Sequence, residues 1–146
     1  MHRDLKPANI LVNLEHQILK IADFGLAKLF NIPIQELSLE IETLWYRAPE
    51  VLLGDVTYSL PVDMWSCGCI FAEMILGEPL FKGDSEIGQI LEIFKFFGTP
   101  VNSQSIRGCI DLKFWSNKFP RFKSNKGIVI QSLIQLTFKL LTSLIG

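Results

Sequence analysis

The chain has 146 residues and a mass of 16.6 kDa, room for one compact domain, since domains usually run about 50 to 200 residues. Its 14 Lys and Arg against 15 Asp and Glu leave a formal net charge of −1, which argues against nucleic acid or a membrane surface as partner. Apolar residues reach 49% and charged residues only 20%, too apolar for disorder and demanding extensive burial.

The opening Met1-His2-Arg3-Asp4 puts charges where a secretory signal needs an apolar run, and no stretch of about 20 apolar residues follows. Three cysteines, Cys67, Cys69 and Cys109, cannot all pair within one chain. A reduced, intracellular setting is the expectation. Cys67 and Cys69, two positions apart, point to different faces of a helix and make a poor metal pair.

In chain order, the short apolar runs Ile10 to Asn13 and Ile18 to Ala22 predict an antiparallel hairpin. Residues 23 to 60 show no clean period and predict a long loop with one short helix near Ala48 to Leu53. Pro61 to Leu76 predicts a helix: Pro61 suits its first position, Asp63 suits the positive N-terminal end, and Gly77 can stop it. Its near-uniform apolarity predicts a central, buried helix. Asp84 to Phe97 predicts an amphipathic helix with Ile87, Ile90, Leu91, Phe94 and Phe97 on its stripe, Asp84 as cap, and Gly98 and Pro100 as stop. Residues 101 to 127 read as loop, and Ile128 to Ile145 as a last helix. Trp45, Trp65 and Phe71 are expected in the core, as large apolar side chains usually are.

Three motifs carry chemistry. His2-Arg3-Asp4-Leu5-Lys6-Pro7-Ala8-Asn9 fits the HRDLxxxN pattern of a kinase catalytic loop; Asp23-Phe24-Gly25 and Ala48-Pro49-Glu50 follow in the order of that signature. The strings TLWYRAPEVLLG (Thr43 to Gly54), VDMWSCGCIFAEM (Val62 to Met74) and LFKGDSEIGQILEIFKFFGTP (Leu80 to Pro100) resemble cyclin-dependent protein kinases. The likeness runs from His2 to about Pro100, with an echo at Phe119 to Lys123. It implies a mainly α fold with a small β-hairpin, an incomplete C-terminal lobe of a kinase-like fold. The implied organisation is a partial kinase domain over 1–123 and an unmatched tail over 124–146.

The resemblance implies phosphoryl transfer from MgATP to a protein serine or threonine, a reaction that asks the protein to position groups and neutralise charge. On that likeness Asp4 accepts the proton of the substrate hydroxyl, Lys6 steadies the transferred phosphate, and Thr43 bridges toward both. Asn9 and Asp23 hold magnesium, which prefers hard oxygen ligands. Ser38 stands at the place of the activating phosphorylation, where Arg3 and Lys28 would face a phosphate that Glu36 and Glu40 repel. Lysine is a point donor and gives no bidentate clamp. Arg3, Glu50 and Asp63 are structural supports: Asp63 serves the helix dipole or anchors the catalytic-loop backbone, and Glu50 pairs in the family with a late arginine, against which the tail offers Lys126 and Lys139. Implied partners are protein substrates, a cyclin and a small Cks-type adaptor on the helix from Asp84 to Phe97.

The sequence also departs from the family. No glycine-rich loop, strand lysine or cyclin-binding helix precedes His2, which predicts an inactive chain by itself and an uncovered apolar face on Pro61 to Leu76. Glu42 replaces a usual valine beside the pocket that favours proline-directed substrates. Two alternatives therefore stand: a truncated pseudokinase that binds partners without catalysis, and a partial gene model of an ordinary active kinase.

Overall fold

The structure is a computed structural model that describes residues 1–27, 44–55, 60–101 and 109–124. The segments carrying Lys28, Glu36, Ser38, Glu40, Glu42 and Thr43, and the expected last helix at 128–145, lie outside the described residues.

A 3-10 turn, Pro7–Asn9, ends the catalytic-loop motif and leads into the hairpin. Strands β1 (Ile10–Asn13) and β2 (Ile18–Ile21) pair antiparallel, with Ile10 opposite Ile21 and Asn13 opposite Ile18. The reversal uses Asn13, whose side-chain oxygen accepts the His16 N–H at 2.9 Å, and Gln17 at φ 52°. The ladder extends by Ala22 N–H donating to the Asn9 carbonyl at 2.9 Å. Leu11, Val12, Leu14 and Leu19 are exposed, so the hairpin stands outside the core.

Among the described residues three α-helices make up the body. Helix α1 (Pro49–Leu52) opens on Pro49, whose fixed φ and missing N–H suit a first helical position. Helix α2 (Pro61–Leu76) has the predicted limits, with Pro61 at its start and Gly77 in the left-handed conformation at φ 78° at its end. Helix α3 (Glu86–Phe97) begins two residues later than expected. Its cap is Ser85, not Asp84: the Ser85 hydroxyl accepts the Gly88 N–H at 3.0 Å, while Asp84 accepts from Ser85 at 3.1 Å.

The core joins Leu5, Leu44, Leu52 and Leu53 to Cys69 and Ile70 of α2 and to Ile90, Ile93 and Phe94 of α3, with α1 packed on α3. Burying each of the last three contributes about 1.5–3 kcal/mol. An aromatic group closes it: Trp65 stacks on Phe81 at 5.9 Å, and Phe119 meets Phe94 edge-on at 5.6 Å. The stretch echoing the family at Phe119 to Lys123 is stitched to the end of α3. Thr99 N–H donates to the Phe122 carbonyl at 3.1 Å, and its hydroxyl accepts the Phe122 N–H at 2.9 Å.

Three burial expectations are corrected. Helix α2 is not central: only Val62, Ser66, Cys69, Ile70 and Ala72 are buried, whereas Met64 and Met74 are exposed. Phe71 is outside the core, 64% exposed, because it sits on the face of α2 that no described residue covers. On α3 the stripe is likewise rotated: Ile87 is 65% exposed, while Gln89 and Ile93 are fully buried with Ile90 and Phe94. An apolar residue lies inside only where a neighbouring element meets its face, and periodicity names the stripe without naming the neighbour.

Candidate active site

The catalytic-loop motif folds around one carboxylate. Asp4 is buried, and its Oδ2 lies 3.3 Å from Lys6 Nζ and 3.3 Å from Asn9 Nδ2. Asn9 Nδ2 also donates to the Asp4 carbonyl at 2.8 Å. Among the described residues nothing donates to the other oxygen, Asp4 Oδ1. One side of the carboxylate is thus held by a cation and an amide, and the other is left to accept.

Two acceptors on the same side fix the orientation of the Asn9 amide, so its Oδ1 points away from Asp4. Asp23 follows β2 at a left-handed φ of 59° and is exposed, with Oδ1 accepting the Gly25 N–H at 3.2 Å. An amide oxygen and a carboxylate, both hard donors, fit magnesium, which keeps waters and phosphate oxygens as its remaining ligands. Among the described residues no group of three or more His, Cys, Asp or Glu could hold a metal alone.

The scaffold beneath these groups is hydrogen-bonded main chain. Asp63, in the first turn of α2, accepts the His2 N–H on Oδ2 and the Arg3 N–H on Oδ1, both at 2.8 Å. Arg3 adopts φ 71°, a conformation that costs a non-glycine residue about 1–3 kcal/mol unless its surroundings impose it. Its Nε donates to the Leu26 carbonyl at 2.6 Å. His2 Nε2 donates to the Ala22 carbonyl at 2.9 Å and its Nδ1 accepts the Asp4 N–H at a long 3.4 Å, which assigns the Nε2–H tautomer. His2 also meets Phe24 edge-on at 5.1 Å. The histidine therefore couples Asp4 to the segment carrying Asp23, a role not assigned from the sequence; its place two residues before Asp4 was the available signal.

Glu50, at the start of α1, is partly buried, and burial raises its carboxyl above the usual range, with Asp55 adding to the effect. Among the described residues no cation pairs with it. The described residues thus bring together Asp4, Lys6 and Asn9, and Asp63 with Arg3.

Residues 1–142 match the protein kinase domain family. The chain is 54% identical over 123 residues to cell division control protein 2 homolog 3 of Trypanosoma brucei brucei, covering 84% of this chain and 39% of that protein. It is 54% identical over 123 residues to cyclin-dependent kinase B2-1 of Arabidopsis thaliana, with the same coverage. Against cyclin-dependent kinase B2-1 of Oryza sativa subsp. japonica it is 52% identical over 126 residues, 86% of this chain and 38% of that one. The chain thus spans about two fifths of the length of these curated relatives. Among the described residues no helix is long and apolar enough to cross a membrane.

Proposed function

The chain belongs to the protein kinase domain family, and on that premise we propose that it carries the catalytic loop and substrate-facing part of a cyclin-dependent-kinase-like serine/threonine kinase. The observation that carries this reading is the Asp4 carboxylate, one oxygen held by Lys6 and Asn9 at 3.3 Å and the other without a donor among the described residues. In the proposed reaction Asp4 Oδ1 accepts the hydroxyl of a protein serine or threonine and takes its proton as the oxygen bonds to the γ-phosphorus of ATP. The bond from that phosphorus to the β-bridging oxygen breaks, and ADP leaves. Lys6 neutralises charge on the transferred group, and Thr43 bridges toward Asp4 and Lys6. Asn9 and Asp23 would hold magnesium, which supplies charge neutralisation on the phosphates when bound.

The partners in this reading are protein substrates, a cyclin, and a small Cks-type adaptor on the helix starting near Asp84. Ser38 is the regulatory phosphorylation site, and Glu42 weakens any preference for proline after the phosphorylated residue. The 146 residues contain no glycine-rich phosphate loop. Positioning contributes about 7–11 kcal/mol of barrier lowering in well-oriented reactions, so the chain by itself transfers phosphate at a negligible rate.

The test joins this chain to the N-terminal portion of the Arabidopsis relative and measures transfer from ATP to protein serine or threonine. The chimera transfers phosphate, and Asp4→Asn lowers its rate by about 10²–10⁴. A folded chimera without activity, or one indifferent to Asp4→Asn, refutes the reading. A second reading, a non-catalytic binding module, rests on the exposed apolar face of α2 at Met64, Phe71 and Met74; it predicts a partner that protects those residues and an inactive chimera.

A further inference from the structure

Gln89 is a polar residue with no exposed surface, set in the apolar stripe of α3. A buried amide that fails to find partners is costly, so its position is explained only by what it binds. Its Oε1 accepts the Gly83 N–H at 2.8 Å, and its Nε2 donates to the Trp45 carbonyl at 3.2 Å. The indole N–H of Trp45 in turn donates to the Gly83 carbonyl at 3.0 Å. The three bonds form a closed ring, Trp45 to Gly83 to Gln89 and back, in which each member both gives and accepts. Gly83 can only be glycine: a Cβ there would stand 2.3 Å from Gln89 N and 2.4 Å from its Cα.

Trp45 lies two positions after Thr43 and three after Glu42, in the segment that the proposed reaction uses to meet its protein substrate. The same segment is tied again at Ser66, whose hydroxyl donates to the Tyr46 carbonyl at 2.8 Å, and at Glu73, which accepts the Tyr46 hydroxyl at 2.7 Å. Those two ties come from α2. Two further ties come from α3: the Gln89 amide on the Trp45 carbonyl, more than 40 positions away, and the Glu86 carboxylate, 3.5 Å from the Arg47 guanidinium.

We propose that Gln89 is a positioning residue which, through the ring with Gly83 and Trp45, locks the substrate-facing segment 44–47 onto α3. It touches no reacting atom; it sets where the chain leaving Thr43 and Glu42 can run. This inference rests on the kinase reading for the word substrate, while the ring itself does not.

The experiment is hydrogen exchange by mass spectrometry on the full 146-residue chain, comparing peptides that cover 44–50 with peptides that cover 86–97. Gln89→Met keeps the volume and removes both hydrogen bonds. It is expected to speed exchange over 44–50 by on the order of tenfold and to leave 86–97 near the parent rate. An equal rise in both peptides, or no rise in either, overturns the proposal, because a packing role alone lowers protection throughout.

Gln89→Glu is the second variant and stands if Gln89→Met does not fold. A neutral carboxylic acid can accept from Gly83 and donate to Trp45, whereas a carboxylate has no hydrogen for the Trp45 carbonyl. The charged groups on the elements that meet here are Arg47, Glu50, Glu73, Lys82, Asp84, Glu86, Glu92 and Lys95; Arg47 pairs with Glu86 at 3.5 Å, Lys82 with Glu78 and Lys95 with Glu92, and Glu73 accepts the Tyr46 hydroxyl. Relative to the parent at the same pH, this variant is expected to protect 44–50 near the parent level in acid and to lose that protection as the pH rises through the burial-raised carboxyl range. Protection that is independent of pH overturns the proposal. None of these readouts requires phosphoryl transfer, so the ring can fail while the kinase reading stands, and the reverse.

Discussion

Asp63 holds Arg3 by its main-chain N–H at 2.8 Å across 60 positions of sequence, at the residue whose backbone φ is 71°. The other oxygen of the same carboxylate holds His2, also at 2.8 Å. One side chain at the start of α2 therefore sets the two residues that lead into Asp4. Asp63→Ala is expected to cost about 2–3 kcal/mol, since a hydrogen bond to a charged group contributes about 1.5–3 kcal/mol. Asp63→Asn keeps one accepting oxygen and is expected to cost less. Urea unfolding of the three chains measures this, and an alanine variant as stable as the parent would remove Asp63 as the anchor.

Glycine substitutions separate two kinds of position. A Cβ on Gly83 collides with the backbone of Gln89, whereas one on Gly68, in the middle of α2, meets nothing within 4 Å. Gly83→Ala should therefore destabilise by roughly 2 kcal/mol or more, the range of overpacked sites. Gly68→Ala should stabilise by about 0.5–1 kcal/mol, from helix propensity alone. Thermal unfolding of both variants decides it, and Tm shifts of the same sign would contradict the packing described for Gly83.

Thiol chemistry should distinguish Cys67 from Cys69. Cys67 is exposed and Cys69 buried, and burial, with Glu73 adding to it, pushes the Cys69 thiol up to about 12. The thiolate is the reactive form. At about pH 8, where thiol reagents are ordinarily used, Cys67 should label in the native chain and Cys69 only after unfolding. Peptide mapping after brief alkylation reads the outcome, and equal labelling would place Cys69 at the surface.

Glu50 gives stability a pH dependence of definite sign. Burial raises its folded carboxyl above the unfolded value, so the folded chain binds that proton more tightly. Between the two values stability falls as pH rises, and above the folded value the loss is complete. Glu50→Gln cannot ionise, so it should be more stable than the parent at neutral pH. The advantage should disappear as pH falls below the usual carboxylate range. Melting both chains from acid to neutral pH tests this, and a glutamine variant less stable at pH 7 would mean that Glu50 has a cationic partner.

Much of the architecture was legible before any coordinates. Pro61 and Gly77 bound α2 because a residue without an N–H suits a first turn and one that accepts positive φ suits an end. The hairpin was readable from two apolar runs around a polar reversal, although its second strand stops at Ile21 rather than Ala22. Asp84 was a reasonable cap by residue type, yet Ser85 takes the Gly88 N–H, a choice between neighbours that depends on how the chain enters the helix.

Local backbone preference and spacing along the chain set the limits of α2, the hairpin, and the order of the Asp4, Asp23 and Glu50 motifs. Which faces lie inside depends on contacts between distant stretches. Phe71 and Gln89 show the reason in opposite senses: an aromatic residue left out because no described element covers its side of α2, and an amide drawn in because Gly83 and Trp45 offer it partners. The bonds from Asp63 to His2 and Arg3 belong to the same class. Burial and hydrogen bonding are properties of pairs of surfaces, and distant stretches become a pair only when the chain has folded.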